Sequence, residues 1–157
     1  MTALSGQHLG MQLHVDAIDA DNRAYFGYCA SGEFRLQCCT ACRTLRFPPG
    51  PRCQVCGSDA SAWTPVPGTG TIYTYTVVHQ ATQAHMKAYA PYAVVVVELD
   101  AQPGRPLRIP ANLVAGDGVP LAAGLPREWG IGTRVRMRFL PAGAEFAVPA
   151  WELLGAN

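Results

Sequence analysis

The chain has 157 residues, 49% of them hydrophobic and 15% charged, with a formal net charge of +1. That composition sustains a packed core and excludes wholesale disorder, and the length allows one ordinary domain, or one domain with a small metal-stabilised module. Eleven arginines and Lys87 are almost balanced by eleven acidic residues, which argues against a protein that lives on nucleic-acid backbones.

No stretch reaches the roughly 20 apolar residues that cross a bilayer. The start, MTALSGQHLGMQLHV, lacks the basic residues and continuous apolar run of a secretion signal. The chain therefore reads as cytoplasmic, without a membrane partner. In that reducing compartment six cysteines point to metal before disulfides.

In chain order, residues 1–33 form an N-terminal segment with one helix, and the stretch carrying His8 and His14 reads as mobile. The helix is predicted around Asp21–Ser31, with Asp21 or Asn22 as N-cap and Gly32 as the stop. Tyr25, Phe26, Tyr28 and Cys29 give it an apolar face, suited to packing on its own domain or docking to another subunit. Residues 34–62 are too poor in periodic apolar positions to make their own core, so something besides hydrophobic burial must hold them.

That something is visible as Cys39-Thr-Ala-Cys42 and Cys53-Gln-Val-Cys56, ten residues apart. Each pair sits on a tight turn that delivers two thiolates from one side, and two such knuckles make the tetrahedral sulfur site that zinc prefers. With sulfur in all four positions no place remains for water or substrate, so the metal is structural. Iron in the same cage, unmetallated thiols and disulfides are the alternatives. Arg43 follows the first knuckle where a glycine would ease the turn, as Gly57 does after the second, which predicts some strain at Arg43. Cys38 could replace Cys39, but the two-residue spacing favours Cys39. Cys29 suits a small buried apolar residue.

Residues 63–157 carry a β signal. Strands are predicted over Ile72–His79, Pro91–Leu99 (a continuous apolar run, buried on both faces), Pro106–Val114, Thr133–Leu140 and Glu145–Leu153. Pro110 inside the third argues for an edge or a bulge. Residues 116–132 read mostly as loop. Periodicity alone gives a small all-β barrel or sandwich, and the long connection between the third and fourth strands suits a Greek-key barrel of the OB type. Tyr73, Tyr75 and His79 fall on one predicted strand face, for core packing or for stacking on a base. Arg134, Arg136 and Arg138 alternate with Val135, Met137 and Phe139, so three guanidiniums share a face that could grip phosphates or simply be solvated.

The ordered series of an aromatic helix, GEFRLQCC (32–39), C-x2-C, FPP (47–49), C-x2-C, Trp63, GTGTIYTYTVVH (68–79), PYAVVVVELD (91–100) and IGTRVRMRF (131–139) resembles a known family over residues 21–140. These are acyl-CoA-associated proteins with a rubredoxin-like zinc ribbon followed by an OB-fold, long catalogued as a domain of unknown function. Arg43, the extra Cys38 and a longer segment at 116–130 depart from the family pattern. The resemblance implies a mainly β fold: N-terminal helix, zinc ribbon over 34–62 and five-stranded barrel over 63–157. It also implies a non-catalytic accessory subunit of a thiolase-fold partner, such as a thiolase, a thiolase-like acyltransferase, hydroxymethylglutaryl-CoA synthase or a lipid-transfer-type aldolase, or in some cases a hydratase. Such a subunit meets acyl-CoA indirectly, by bridging or covering the catalytic chain and shaping its channel, and with that resemblance Arg134, Arg136 and Arg138 become the candidate contacts for CoA phosphates.

No catalytic residue of the chain's own is expected. Once four cysteines are committed to metal, only Cys29 and Cys38 remain to pair with His8, His14, His79 or His85, and no spacing supports a dyad. Two other classes compete: a single-strand nucleic-acid-binding OB protein, and an iron-bearing electron carrier of the rubredoxin kind.

Overall fold

In the computed structural model, which describes residues 2–121 and 128–155, the chain begins with a hairpin. Strand β1 (Leu4–His8) pairs with β2 (Met11–Val15) across Leu9 and Gly10, both at positive φ (48° and 79°), as a two-residue hairpin turn requires. Leu4, Leu13 and Val15 pack on Ala142 and Phe146. Gly6 permits the approach, since a Cβ there would lie 2.9 Å from Phe146 Cδ1 and nearer still to the Ala142 carbonyl oxygen. The stretch read from sequence as mobile is therefore ordered, because every second residue of β2 is apolar and has a surface to cover.

Helix α1 (Ala20–Ala30) starts slightly before its predicted position, and Asp19 is the cap. Its carboxylate accepts the Asn22 backbone N–H at 3.0 Å and the Asn22 side-chain amide at 2.7 Å. Gly32, at φ +75°, follows the last turn as expected. The apolar face packs on its own chain: Tyr25 and Cys29 are buried, Phe26 meets Phe146 at 4.8 Å and Tyr28 meets Trp63 at 5.4 Å between ring centres.

Beneath the helix lies a three-stranded sheet, β4 (Leu45–Arg46), β3 (Arg35–Cys39) and β5 (Ser61–Pro65), in the order β4-β3-β5. Arg46, Gln37 and Trp63 form one row across it. Gln37 is only 2% exposed and both polar atoms of its side chain are engaged: its Nε2 donates to Asp21 at 2.7 Å and its Oε1 accepts the Gly50 N–H at 2.8 Å. This one side chain ties sheet, helix and the FPPG turn together.

The five predicted barrel strands all form, as β6 (Thr69–Val78), β7 (Tyr92–Leu99), β8 (Arg108–Val114), β9 (Arg134–Gly143) and β10 (Phe146–Leu153). They close in the order β10-β8-β7-β6-β9, a Greek-key barrel of the OB type. Ile72, Val95, Val97, Ile109, Leu113, Val135 and Trp151 fill the core. β7 is not buried on both faces: Ala93, Val95, Val97 and Leu99 point inward, while Tyr92, Val94, Val96 and Glu98 are half-buried outside. A barrel has only one dry side, so an unbroken valine run still alternates in burial.

One surplus residue enters β6. Ile72 lies opposite Val97 and Thr74 opposite Val96, which leaves Tyr73 without a place in the ladder. Tyr73 turns outward beneath Arg108, whose guanidinium carbon is 3.5 Å from the ring centre. Tyr75 faces inward on Trp129, with ring centres 5.2 Å apart. The shared face predicted for Tyr73, Tyr75 and His79 is thereby split, and exposed His79 lies beyond the strand's end.

β8 and β10 pair in parallel only at Leu113↔Trp151 and Val114↔Glu152. Before those pairs, Pro110 opposes Val96 of β7 and Pro149 opposes Phe139 of β9, so each proline sits where its strand has a ladder on one side only. Pro110 thus has the edge position foreseen for it. The Trp151 indole N–H reaches across the gap to the Ile109 carbonyl at 3.2 Å. The described parts of the 116–132 connection are loop apart from a single bridge, Val114↔Pro120; residues 122–127 lie outside the described residues.

Gly70 is buried where β6 lies between β7 and β9, and a Cβ there would stand 2.5 Å from Val97 Cγ1 and closer still to the Glu98 carbonyl oxygen. Gly70→Ala is expected to destabilise the chain by about 1–3 kcal/mol through forced strand displacement, read as a lower urea midpoint. An unchanged midpoint would contradict this packing.

Candidate metal centre and its surroundings

The two knuckles close alike. The Arg43 N–H donates to the Cys39 carbonyl and the Gly57 N–H to the Cys53 carbonyl, both at 2.9 Å. Cys39 N–H donates to Thr44 O at 2.9 Å and Cys53 N–H to Ser58 O at 2.8 Å, which locks each turn at its base. Both turns need a left-handed residue after the second cysteine: Gly57 at φ +76° adopts it freely, whereas Arg43 is held at φ +62°. For a non-glycine residue that conformation costs about 1–2 kcal/mol, so the strain expected at Arg43 is present.

The four sulfurs of Cys39, Cys42, Cys53 and Cys56 lie within 4.8 Å of one another, with Cys39–Cys56 and Cys42–Cys53 each at 3.6 Å. A tetrahedron with metal–sulfur bonds of about 2.3 Å has sulfur–sulfur edges of about 3.8 Å. The donor set fits a structural zinc ion. Cys38 stands outside this group, its sulfur 3.8 Å from the Cys39 carbonyl oxygen.

The backbone around the sulfurs favours thiolates. The Cys42 N–H holds the Cys39 thiol below its ordinary range. The Thr44 hydroxyl and N–H bring Cys42 down to about 6. Cys56 receives the Ser58 N–H, but the sulfurs of Cys39, Cys42 and Cys53 outweigh it and push Cys56 up to about 11. Four sulfurs this close repel one another as anions, and a divalent cation at their centre removes that penalty.

Residues 26–61 match the family described as "ChsH2, rubredoxin-like zinc ribbon domain", and residues 63–140 match "ChsH2, C-terminal OB-fold domain". A chain of the solved "Ltp2-ChsH2(DUF35) aldolase" superimposes with a TM-score of 0.68 and 32% identity, covering 88% of this chain and 98% of that one. This chain belongs to the ChsH2 (DUF35) family. It is also 35% identical over 135 residues to the "Probable enoyl-CoA hydratase alpha subunit" of Thermomonospora curvata, and spans 38% of that relative's length. The zinc ribbon and OB barrel anticipated from sequence are thus those of ChsH2 proteins.

On the ChsH2-type barrel the arginine stripe is engaged. Arg134 binds Asp100 through two nitrogens and Thr71 through one. Arg136 and Arg138 share Glu152, each at 2.8 Å, and Arg138 also donates to the Gly116 carbonyl at 2.6 Å. All three face one way as predicted, but the carboxylates already there offset their charge. Exposed pairs of this kind contribute little individually.

The remaining thiols and histidines do not converge. Cys29 is 1% exposed, and burial pushes its thiol up to about 12, so it is inert. His14 lies 3.2 Å from the Ser5 hydroxyl, His79 is exposed, and His85 packs beside Gly10. Among the described residues no hydrogen bond joins a histidine to Cys29 or Cys38. Two features had no sequence signal. Arg46 is 6% exposed with no hydrogen-bond partner for its guanidinium among the described residues. An apolar cleft of about 310 Å3 opens where β8 and β10 diverge, lined by Tyr25, Phe26, Phe47, Pro110, Val148 and Pro149, with His8 at its margin.

Two outcomes follow. Purified protein is expected to hold one zinc per chain, and Cys53→Ser to lose it. Amide exchange would then accelerate across residues 35–65 while β6–β10 keep their protection; zinc retained in that variant would contradict the ligand set. Separately, Arg134 and then Thr69 hold the Asp100 carboxyl down to about 2, from an ordinary value of 3.8. The unfolded chain binds more protons than the folded one between those values, so this contribution is complete above about pH 4 and fades toward pH 2. Asp100→Asn should flatten that part of the acid-unfolding curve, with wild type and variant converging at its acid end; parallel curves would refute it.

Proposed function

We propose that this chain is a non-catalytic accessory subunit of a thiolase-like acyl-CoA enzyme that makes or breaks carbon–carbon bonds. A partner cysteine takes the acyl group and partner side chains move the protons, while this chain bridges or covers the catalytic subunit. The observation that carries this is the likeness to the Ltp2-ChsH2(DUF35) aldolase, which runs through 98% of the solved chain and through ribbon and barrel alike. The scattered histidines, the inert Cys29 thiol and the closed sulfur cage support a division of labour in which the bond chemistry lies elsewhere.

The cleft between β8 and β10 supports a role in shaping an acyl channel. Its walls are apolar, its volume of about 310 Å3 suits a short hydrocarbon segment, and helix, ribbon turn and barrel all contribute to it. The near-neutral charge and the paired arginines weigh against nucleic acid, whose backbone needs uncommitted cations. The likeness to a hydratase alpha subunit favours a second reading, in which the catalytic companion hydrates an enoyl-CoA.

The test is co-expression of the tagged chain with the thiolase-type proteins of its source, followed by size exclusion and an acyl-CoA assay for C–C cleavage and condensation. A co-eluting complex with activity, and none from the isolated chain, is the expected result. Turnover by this chain alone would overturn the reading. Stable association with a hydratase and with no thiolase-type protein would replace it by the second.

A further inference from the structure

The connection from β7 to β8 reaches from the barrel to the first knuckle. Gln102 accepts the Leu45 N–H at 2.6 Å and donates to the Arg105 carbonyl at 2.9 Å, and the Arg105 N–H returns to the Gln102 carbonyl at 3.2 Å. This small closed loop sends out one charged group. Arg105 Nη1 donates to Thr44 Oγ1 at 2.6 Å, and that oxygen lies 3.1 Å from Cys42 Sγ. Thr44 is buried, and its carbonyl is the one that locks the knuckle through Cys39 N–H.

We propose that Arg105 is a positioning residue of the sulfur centre, acting through Thr44, so that metal affinity and the docking of ribbon on barrel are one linked quantity. The chemistry of the hydroxyl gives the direction. A hydroxyl has one proton to donate and lone pairs to accept with. Arg105 occupies an acceptor position, which leaves the Thr44 proton for sulfur. A metal-bound Cys42 is a thiolate and can only accept, so the chain of bonds runs one way, from guanidinium to hydroxyl to sulfur. Four thiolates about a divalent cation leave two surplus negative charges, and the guanidinium lies where it offsets them.

The charge of Arg105 is not spent on a carboxylate. Arg35, Arg108, Arg134, Arg136 and Arg138 are all paired with carboxylates. Among the described residues Arg105 has no such partner. By linkage, whatever Arg105 adds to metal affinity, the metal adds to the grip of the barrel loop on the ribbon.

The test uses the full-length zinc protein and its cobalt-substituted form. Removing an outer partner of a metal ligand typically weakens metal binding about 10–100-fold, so Arg105→Ala and Thr44→Val are each expected to do so in competition with a chromophoric chelator. Thr44→Ser, which keeps the hydroxyl, should retain wild-type affinity and shows whether the site still folds with a smaller side chain. Arg105→Ala combined with Thr44→Val should be no weaker than Thr44→Val alone, because both break one relay. The sulfur-to-cobalt charge-transfer band should shift in Arg105→Ala and Thr44→Val, a change that loosened packing remote from sulfur would not produce. Unchanged affinity and an unchanged band in Arg105→Ala would overturn the proposal. So would weakening by Arg105→Ala with none by Thr44→Val, which would take Thr44 out of the path.

Discussion

Repulsion among four sulfurs gathered within 4.8 Å, and its relief by a cation, is the interaction on which the shape of the ribbon rests. The ribbon has no apolar cluster of its own. Phe34, Leu36, Leu45, Phe47 and Trp63 are all given to the cluster shared with helix and barrel. What remains at the knuckle tips is Arg43, Gln54, Val55 and Gly57, all exposed. Hydrophobic burial therefore fixes the base of the ribbon, and sulfur chemistry must fix its far end. This division explains why so short a sheet, with a two-residue strand at one edge, keeps a defined shape.

The barrel meets a different constraint. Closing five short strands requires β8 and β10 to pair, yet each carries a proline in the half where pairing would begin. The ladder is confined to two residue pairs, and the Trp151 indole spans what the backbone cannot. The cleft left behind is covered from outside by Tyr25, Phe26 and Phe47, so α1 belongs to the barrel as much as to the ribbon. The three regions share one interior. Apart from the two matched residue pairs and the Trp151 indole, it is side chains from outside the barrel that cover this seam.

Much of this was legible in the residues because each feature had a local cause. Two C-x2-C pairs report the sulfur centre directly, Gly32 reports a helix end, and β-branched runs report strands whatever their neighbours. The N-terminal hairpin escaped because its turn is Leu9-Gly10, and leucine at positive φ carries none of the signal of Asn-Gly. Asp19 does not stand out as the cap in sequence because Asp21 and Asn22 follow within three residues, and only the carboxylate's reach to Asn22 distinguishes them. The pairing of the arginine stripe could not be read at all. Arg134 finds Asp100 across 34 positions and Arg138 finds Glu152 across 14, distances over which a single chain gives no hint of contact. The cleft is illegible for the same reason, being made of residues from five elements.

Tyr73 shows how a strand can carry a passenger. Removing it would leave Ile72 followed by Thr74, Tyr75 and Thr76, an uninterrupted in-and-out rhythm opposite Val97 to Val94. Removing any residue from Tyr75 to Val77 would instead invert those between it and Tyr73, unless the bulge itself were absorbed. The strand thus owns a spare position whose occupant is exempt from the demands of the core. Its ring is free to lie flat on the outer wall under Arg108, and its identity can drift there without the interior taking notice.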